Sequence, residues 1–345
     1  MSNDRDYAIV IGIQHYKANA ELAGPHQDTD KFMNWLLDPN GGNLPADPVN
    51  VGSSPNVLRL LSTEAYTPSQ KDVDDWLGTK MLEIQRFGEG QTARRLYFYF
   101  SGHGIGVSHT NSALLLPEWT TMMRNYALSS EKYLHGLIDR GLFQEIYFFM
   151  DCCRNRIIGV EGSAPGFGAP APTDDSISYL ICYATAFQTK AYEKTPLSQE
   201  GLDNTLPRGL FTEVLVNGLF GAAAGKNGRL RVSDLVNYIE RKLPELAKEH
   251  KVTQIPKFTT AISLEHELTA RFNQLVPIEI QFTGPSEEVV LEDGDLIEKK
   301  RGHTANGPWN LQLHRGQYIL RRSGETTGMN IFVDGLKNTF EYGSA

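Results

Sequence analysis

The order of apolar and polar residues changes along the chain, and up to about residue 276 it alternates between two patterns. Short runs of consecutive apolar residues, many of them β-branched or aromatic, are typical of strands buried on both faces of a parallel sheet. Between these runs, apolar residues recur every three or four positions, as on one face of a helix. This alternation predicts an α/β fold, a mostly parallel sheet flanked by helices. The predicted strands are residues 7–13, 57–61, 96–100, 113–116, 145–150 and 179–184, and the predicted helices are residues 28–37, 67–84, 129–140, 211–219 and 233–248.

The pattern is interrupted twice and then changes near the C-terminus. Residues 154–177 are rich in Gly, Ala and Pro, and residues 187–208 are polar, so both stretches are predicted to be long loops. From residue 277 onwards, short strand-like segments alternate with glycine-containing turns, which predicts a small all-β domain. We therefore predict one domain over residues 1–276 and an accessory domain over residues 277–345. For the accessory domain, docking of a partner is favoured over simple capping of the first domain.

Composition excludes some classes of protein and favours a cytoplasmic one. The chain has 345 residues and a net charge of −8, which disfavours binding to nucleic acid or to an anionic membrane. It contains no run of 18 apolar residues, and its N-terminus does not resemble a signal peptide. The three cysteines, Cys152, Cys153 and Cys182, are an odd number with two adjacent, so neither a disulfide framework nor a zinc site is predicted. A reducing cytoplasm is the expected location.

Two of the predicted strands end in residues that are able to do chemistry. One is followed by His103 and Gly104, and the other by Asp151, Cys152 and Cys153. Because active sites of open α/β sheets lie beyond the carboxyl ends of the strands, an imidazole and a thiol are expected to meet there. A thiolate that attacks a carbonyl carbon and a histidine that moves the proton are the parts of a cysteine peptidase. The backbone N–H groups of Gly104 and Cys153 are the expected donors to the oxyanion.

A histidine or a cysteine alone, at the position of His103 or of Cys153, more often has a structural role than a catalytic one. A cysteine at a strand end is usually a small buried hydrophobe, and a histidine in a glycine-rich turn usually supports the turn. Together, His103 and Cys153 are far more specific, since each follows an aromatic-rich strand and they are 50 residues apart in the sequence. That separation is one known for caspases.

At these residues the chain resembles the caspase-like cysteine peptidases and, within them, the bacterial metacaspase-like branch. Phe100-Ser101-Gly102-His103-Gly104 is similar to the histidine motif of the family, and Asp151-Cys152-Cys153 to the metacaspase cysteine motif. In that motif the nucleophile lies two residues after the Asp, which implies Cys153 rather than Cys152. The chain departs from the branch at Arg154-Asn155-Arg156, where metacaspases usually have His-Ser-Gly. The resemblance spans roughly residues 5–265 and includes Leu114-Leu115-Leu116-Pro117, residues 184–193, Gly209-Leu210-Phe211-Thr212 and Gln254-Ile255-Pro256.

The resemblance also implies which peptide bonds are cut. Caspases that cut after Asp have a Gln two residues before the nucleophile, where this chain has Asp151. An acidic residue in the specificity pocket repels an acidic side chain and pairs with a basic one. We therefore expect cleavage after Arg, with Lys as the second choice. Metacaspases that favour basic residues have a second acidic position, which here falls on Tyr192 or Glu193.

Peptidases of this family are commonly inactive until a loop is cut or a ligand binds, so the two predicted loops are candidates for processing. With basic specificity, the possible self-cleavage sites are Arg154, Arg156, Lys190, Lys194 and Arg208. Besides self-processing, an activating protease or a regulator is a possible partner. The substrates are expected to be proteins with basic cleavage sites.

No cofactor is predicted. Many metacaspases need calcium, but the acidic pairs Asp174-Asp175 and Asp293-Gly294-Asp295 lack the ligand spacing of a known calcium loop, so no metal is assigned. By analogy with the family, regulated proteolysis in bacterial stress, cell death or antiviral defence is the expected role. The alternative is a catalytically inactive caspase-like scaffold that binds a protein partner.

Overall fold

The computed structural model describes residues 2–88, 91–167, 177–194, 208–224, 228–269, 275–293, 296–325, 327–333 and 338–343. They fall into two compact units, Met1–Val214 with Ile239–Ser263, and Leu215–Tyr238 with Leu264–Ala345. In chain order, the elements are β1 Asp6–Gly12, α1 Pro25–Leu37, β2 Val57–Leu61, α2 Gln70–Gln85, β3 Ala93–Ser101, β4 Gly104–Gly106, β5 Ser112–Leu115, β6 Ala127–Ser129, α3 Ser130–Arg140, β7 Phe143–Asp151, β8 Ser178–Tyr183, β9 Glu193–Lys194, β10 Arg208–Gly209, α4 Leu210–Asn217, a π-helical turn Gly218–Ala222, β11 Leu230–Arg231, α5 Val232–Glu249, β12 Lys257–Thr260, β13 Glu267–Thr269, β14 Leu275–Phe282, β15 Glu288–Asp293, β16 Glu298–His303, a 3₁₀ turn Thr304–Asn306, β17 Trp309–His314, β18 Gly316–Arg322, β19 Met329–Val333 and β20 Thr339–Tyr342.

A six-stranded sheet in the order β12-β8-β7-β3-β1-β2 forms the centre of the first unit. Five of these strands are parallel to one another, and β12 pairs antiparallel with β8 at one edge. The predicted α/β fold with a mostly parallel sheet is therefore confirmed. Along β3 and β7 the register pairs Ser101 with Asp151, so these two neighbouring strands end at the same level.

Both faces of this sheet are covered, which explains why its strands are continuously apolar rather than alternating. On one face, Phe32 and Trp35 of α1 contact Tyr99 and Tyr97 of β3. On the other face, Phe98 packs in one core with the buried residues of α2 and α3. Those residues are Val73, Leu77, Met81 and Ile84 from α2, and Tyr133, Leu134 and Leu137 from α3.

The C-terminal β-strands lie in the second unit. They form a three-stranded sheet, β17-β14-β20, and a four-stranded sheet, β16-β15-β18-β19. Buried residues of both sheets, among them Ile280, Leu291 and Leu320, share one apolar core. This all-β character matches the prediction, whereas the predicted domain boundary at residue 277 stays a prediction.

Some predicted bounds were wrong for identifiable reasons. Helix α2 begins at Gln70, not at Thr67, and the N–H of Ser69 donates to the carboxylate of Asp72 at 2.7 Å. The strands β12 and β16 were missed because Lys257–Thr260 and Glu298–His303 are largely polar. Polar and charged side chains are common on exposed edge strands, where they discourage pairing with other molecules.

Candidate active site

The ends of β3 and β7 bring His103 and Cys153 to one cavity. Ser101 at the end of β3 pairs with Asp151 at the end of β7. His103 lies two residues after Ser101, and Cys153 lies two residues after Asp151, so both lie just past the ends of neighbouring strands. A hydrogen bond of 3.2 Å from the N–H of Gly102 to the carbonyl of Asp151 continues the ladder beyond the strands. The cavity has a volume of about 430 Å³, and both His103 and Cys153 line it.

The imidazole of His103 is held by the segment that follows β1. The hydroxyl of Tyr16 accepts a 2.7 Å hydrogen bond from the backbone N–H of His103, and the centres of the two rings lie 4.7 Å apart. The Nε2 atom of His103 is 2.7 Å from the carbonyl oxygen of Ala20. Because a carbonyl oxygen only accepts hydrogen bonds, Nε2 carries the hydrogen in this contact. Nδ1 is therefore the basic nitrogen of the neutral ring.

The three cysteines differ in their surroundings. Cys152 and Cys182 are buried, and burial raises the pKa of both thiols above the usual range. Cys152 and Cys153 both line the cavity, but only Cys153 is partly exposed there. Its Sγ accepts from the N–H of Ala191 at 3.4 Å and lies 3.6 Å from the carbonyl oxygen of the same residue. Of the three thiols, that of Cys153 is the one a substrate reaches.

Gly104 begins β4 directly beside the two cysteines. A Cβ atom at this position would lie 2.5 Å from Cys152 Sγ and 2.7 Å from the Cys153 carbonyl oxygen, so only glycine fits. The His103 carbonyl accepts from the Leu115 N–H at 3.0 Å, which makes these two residues a hydrogen-bonded pair of the β4–β5 ladder. In an antiparallel ladder the next pair does not exchange such bonds, so the N–H of Gly104 points away from β5.

Two aspartates, Asp28 and Asp151, line one part of the cavity. Asp151 is 6% exposed, and its Oδ2 accepts from the N–H and the hydroxyl of Thr212 at 3.0 and 2.8 Å. Asp28, in the first turn of α1, is fully buried and accepts from the Gly209 N–H and from Ser101 Oγ. A Cβ on Gly209 would lie 2.0 Å from Asp151 Oδ2 and 3.1 Å from Asp28 Oδ2, so both carboxylates lie close to the same point.

The electrostatic effect of these carboxylates is visible in a neighbouring residue. Burial raises the pKa of the Tyr99 hydroxyl well above its usual value, and the charges of Asp28 and Asp151 raise it further. A positive side chain placed in this end of the cavity would be stabilised by the same two charges.

The predicted second pocket position is only partly described. Tyr192 lines the cavity, and the side chain of Glu193 lies outside the described residues. The backbone of Tyr192 is fixed by Gln254, whose buried amide accepts from the Tyr192 N–H at 3.0 Å and donates to the Ala184 carbonyl at 3.1 Å. Gln254 thus ties the end of β8 to the segment that contacts the Cys153 thiol.

Replacing Gln254 with Leu is expected to lower both stability and activity. The Tyr192 N–H and the Ala184 carbonyl would lose their partner, which costs about 2 kcal/mol of unfolding free energy. Because Ala191 would also lose its fixed position beside Cys153, kcat/KM should fall by more than the loss of folded protein explains. Gln144→Leu is the matched control, since Gln144 is exposed and bonds only the Thr92 hydroxyl among the contacts described. Denaturant unfolding measures the stability of each variant, and peptide kinetics measure its kcat/KM. Equal losses in Gln254→Leu and Gln144→Leu would contradict a role of Gln254 in positioning Ala191.

Arg154 is placed differently from the other candidate processing residues. It is 1% exposed, and its guanidinium donates to the carbonyls of Ser108 and His109 and lies 3.8 Å from the centre of the Tyr183 ring. Cleavage needs an accessible segment, so Arg154 does not remain among the proposed processing sites. Arg156 and Lys190 are exposed, whereas the side chains of Lys194 and Arg208 lie outside the described residues.

No metal centre is recognisable in the part of the chain that the structure describes. In that part, no group of three His, Cys, Asp or Glu side chains has the arrangement of a metal site. Asp293 bonds Lys299 at 2.6 Å, while Asp174, Asp175 and Asp295 lie outside the described residues. The absence of a cofactor stays a prediction. Among the described helices, none is long and apolar enough to cross a membrane.

Sequence reasoning missed three residues that build the site, Asp28 in the cavity wall and Ala20 and Gln254 behind it, and none carried a distinctive signal. Asp28 is an acidic residue in the first turn of a helix, where the helix dipole favours such residues for structural reasons alone. Ala20 acts through its backbone carbonyl, which no side-chain pattern reveals. Gln254 was noted only as part of a family motif, and its two hydrogen bonds depend on the tertiary structure.

Comparison with known proteins identifies the family of this chain. The sequence profile of the caspase domain family matches residues 5–266. A curated relative, described as a probable protease from a Desulfuromonadales bacterium, is 30% identical over 239 residues. The alignment covers 64% of this chain and 27% of the relative, so this chain spans about a quarter of that protein's length.

Two solved structures are also similar. Caspase-1 from Spodoptera frugiperda is 13% identical, with a TM-score of 0.48 over 79% of this chain and 93% of that one. The structure titled pro-sf-caspase-1 is 12% identical, with a TM-score of 0.42 over 75% of this chain and 92% of that one.

Proposed function

Because the chain belongs to the caspase family, we propose that it is a cysteine endopeptidase in which Cys153 is the nucleophile and His103 carries the proton. The observation that carries this proposal is the placement of both residues past the paired ends of β3 and β7, in one cavity. The thiol is partly accessible, and the imidazole is oriented by the Ala20 carbonyl and by the ring of Tyr16.

The reaction uses these groups in a fixed order. Nδ1 of His103 takes the thiol proton of Cys153, and the thiolate attacks the carbonyl carbon of the scissile bond. The electron pair of the C=O bond moves to oxygen, where the N–H groups of Gly104 and Cys153 stabilise the charge. When this intermediate collapses, the C–N bond breaks and the leaving amine takes the proton from His103. Water then hydrolyses the thioester and frees Cys153.

The residue before the scissile bond is proposed to be Arg, with Lys as the second choice. Asp28 and Asp151 lie near one point at one end of the cavity and are desolvated, so a guanidinium there would form charge-assisted hydrogen bonds. Arg suits this site better than Lys because its planar fork can serve two carboxylates at once. Asp28 is proposed as a further acidic group of this pocket, in addition to the Tyr192 or Glu193 expected from the sequence.

A panel of fluorogenic peptides that differ only in the residue before the scissile bond tests this proposal. The Arg peptide should be cleaved fastest, the Lys peptide more slowly, and the Asp and Gln peptides at background rate. Faster turnover of the Asp peptide would contradict the pocket assignment. No turnover of any peptide by purified protein, together with slow labelling of Cys153 by iodoacetamide, would instead favour a binding scaffold.

The wider role is proposed from the family alone. Regulated proteolysis of proteins with basic cleavage sites, in stress, cell death or antiviral defence, is the role that we propose, with an activating protease or regulator as partner. Cleavage after Arg156 or Lys190 is the proposed self-processing, with Lys194 and Arg208 as further candidates. The cytoplasmic location and the docking role of the C-terminal β-strands also remain proposals.

A further inference from the structure

A group of large apolar side chains lies exposed beside the cavity. Met122 is 92% exposed, Met123 46%, Ile157 42% and Ile158 84%. We call these four residues the apolar patch. Single exposed apolar residues are common, but several together usually mark a surface that binds something.

The two segments that carry the apolar patch are held together by one arginine. Nη1 of Arg124 donates to the carbonyl of Ile158 at 3.3 Å and to that of Gly159 at 3.2 Å. Nε of Arg124 donates to the carbonyl of Thr121 at 2.8 Å, which fixes the side chain to its own turn. These contacts make the patch a single surface and not two unrelated loops.

The apolar patch is continuous with the cavity. Ile157 belongs to the patch and also lines the cavity, where Trp119, three residues before Met122, is another lining residue. The segments that follow His103 and Cys153 run side by side towards the patch, since the N–H of Gly106 donates to the carbonyl of Asn155 at 3.0 Å. Both residues of the proposed dyad are thus linked to the patch through short backbone segments.

We propose that the apolar patch binds apolar side chains of the substrate in the residues that follow the scissile bond. This inference rests on the proposed function, because it assumes that the basic side chain before the scissile bond lies between Asp28 and Asp151. That end of the cavity is built from α1, β7 and Gly209, whereas the patch lies where the segments after His103 and Cys153 lead. Since His103 must protonate the leaving amine, the chain after the scissile bond leaves on its side.

Two internally quenched peptides test the proposal. Both have the same residues up to the Arg before the scissile bond, and they continue with either Leu-Leu or Ser-Ser. Rates are divided by the rate of a short Arg reporter with a coumarin leaving group, which corrects for the amount of active enzyme. The Leu-Leu peptide should have a kcat/KM about tenfold higher, because two apolar side chains are partly removed from water.

The double substitution Met122→Ser and Ile158→Ser should reduce this preference to about twofold or less. The matched control is Val49→Ser with Val51→Ser, since these valines are similarly exposed, at 82% and 99%, and precede the edge strand β2, which does not carry the patch. The control should keep the full preference. A wild type without preference, or a preference that survives the Met122 and Ile158 substitutions, would overturn the proposal. If the patch instead joins two copies of the chain, sedimentation should show a dimer for wild type that the double substitution loses, while the preference for the Leu-Leu peptide stays unchanged. That result would also overturn the proposal.

A binding measurement separates this inference from the proposed function. The Cys153→Ala protein should bind the Leu-Leu peptide more tightly than the Ser-Ser peptide, and the double substitution should remove the difference. Binding preference without any cleavage by wild type would mean that the peptidase proposal fails and the patch assignment stands. Cleavage by wild type without a binding preference for the Leu-Leu peptide would mean that the peptidase proposal stands and the patch assignment fails.

Discussion

Cys153→Ala is expected to abolish peptide cleavage, whereas Cys152→Ala should leave most of it. Loss of the nucleophile of a catalytic dyad reduces kcat by about 10⁴-fold or more, because the covalent route is closed. Cys152 is 2% exposed, and burial raises the pKa of its thiol, so it neither reaches a substrate nor ionises readily. The adjacent cysteine therefore offers an unusually close control.

The two variants are compared by kcat/KM on an Arg peptide and by the rate of iodoacetamide labelling. Labelling of wild type should be fast at Cys153, and His103→Ala should slow it. Unfolding in denaturant checks that Cys152→Ala, which leaves a small void against Gly104, remains folded. Loss of activity in Cys152→Ala with a retained fold, and activity in Cys153→Ala, would reverse the assignment.

Asp28→Asn and Asp151→Asn should each lower kcat/KM for an Arg peptide by about 10²-fold, because each removes one charge that pairs with the guanidinium in a desolvated site. Asn keeps the size and one carbonyl oxygen, so it can still accept from Gly209 or from Thr212. The loss should therefore appear in substrate selection more than in folding.

A peptide with citrulline in place of Arg separates charge from shape, since citrulline is neutral and nearly the same size. In wild type the Arg peptide should be strongly preferred, and in either Asn variant this preference should become much smaller, because only one carboxylate is left to pair with the guanidinium. An unchanged Arg preference in Asp28→Asn would show that Asp28 only supports α1 and the Gly209 backbone. A Ser101→Ala variant, which removes one donor to Asp28 without changing charge, is the matched control.

Local patterns of apolar, polar and glycine residues predict much of the fold. The apolar runs of β3 and β7 predict strands because both faces are covered, and the glycine-rich stretch after Cys153 predicts a loop. The polar edge strand β12 gives no such signal, since its side chains at Lys257–Thr260 are half exposed and its pairing with β8 depends on tertiary structure. Polar β16 was missed for the same reason.

The sequence predicts those residues of the candidate site whose type and position directly after a strand indicate their chemistry. His103, Cys153 and Asp151 follow directly from the sequence at the ends of β3 and β7. The rest depends on contacts between residues far apart in the chain. Asp28 meets Gly209 across 181 positions, and Gln254 meets Tyr192 across 62. Arg154 shows the opposite error, because a basic residue in a loop suggested exposure, whereas its guanidinium is buried against Tyr183.

The pairing of β7 with β8 determines what a cut after Arg156 would produce. His103 and Cys153 would stay on the N-terminal fragment, while Tyr192, Gly209 and Gln254 would belong to the C-terminal fragment. The parallel register from Glu145 with Ser178 to Met150 with Tyr183 would hold the fragments together. The nicked protein would thus be a two-chain enzyme, with the reactive groups on one chain and part of the substrate pocket on the other. It would migrate as one species in a native gel and as two bands in a denaturing one, and neither band alone would hold a complete enzyme.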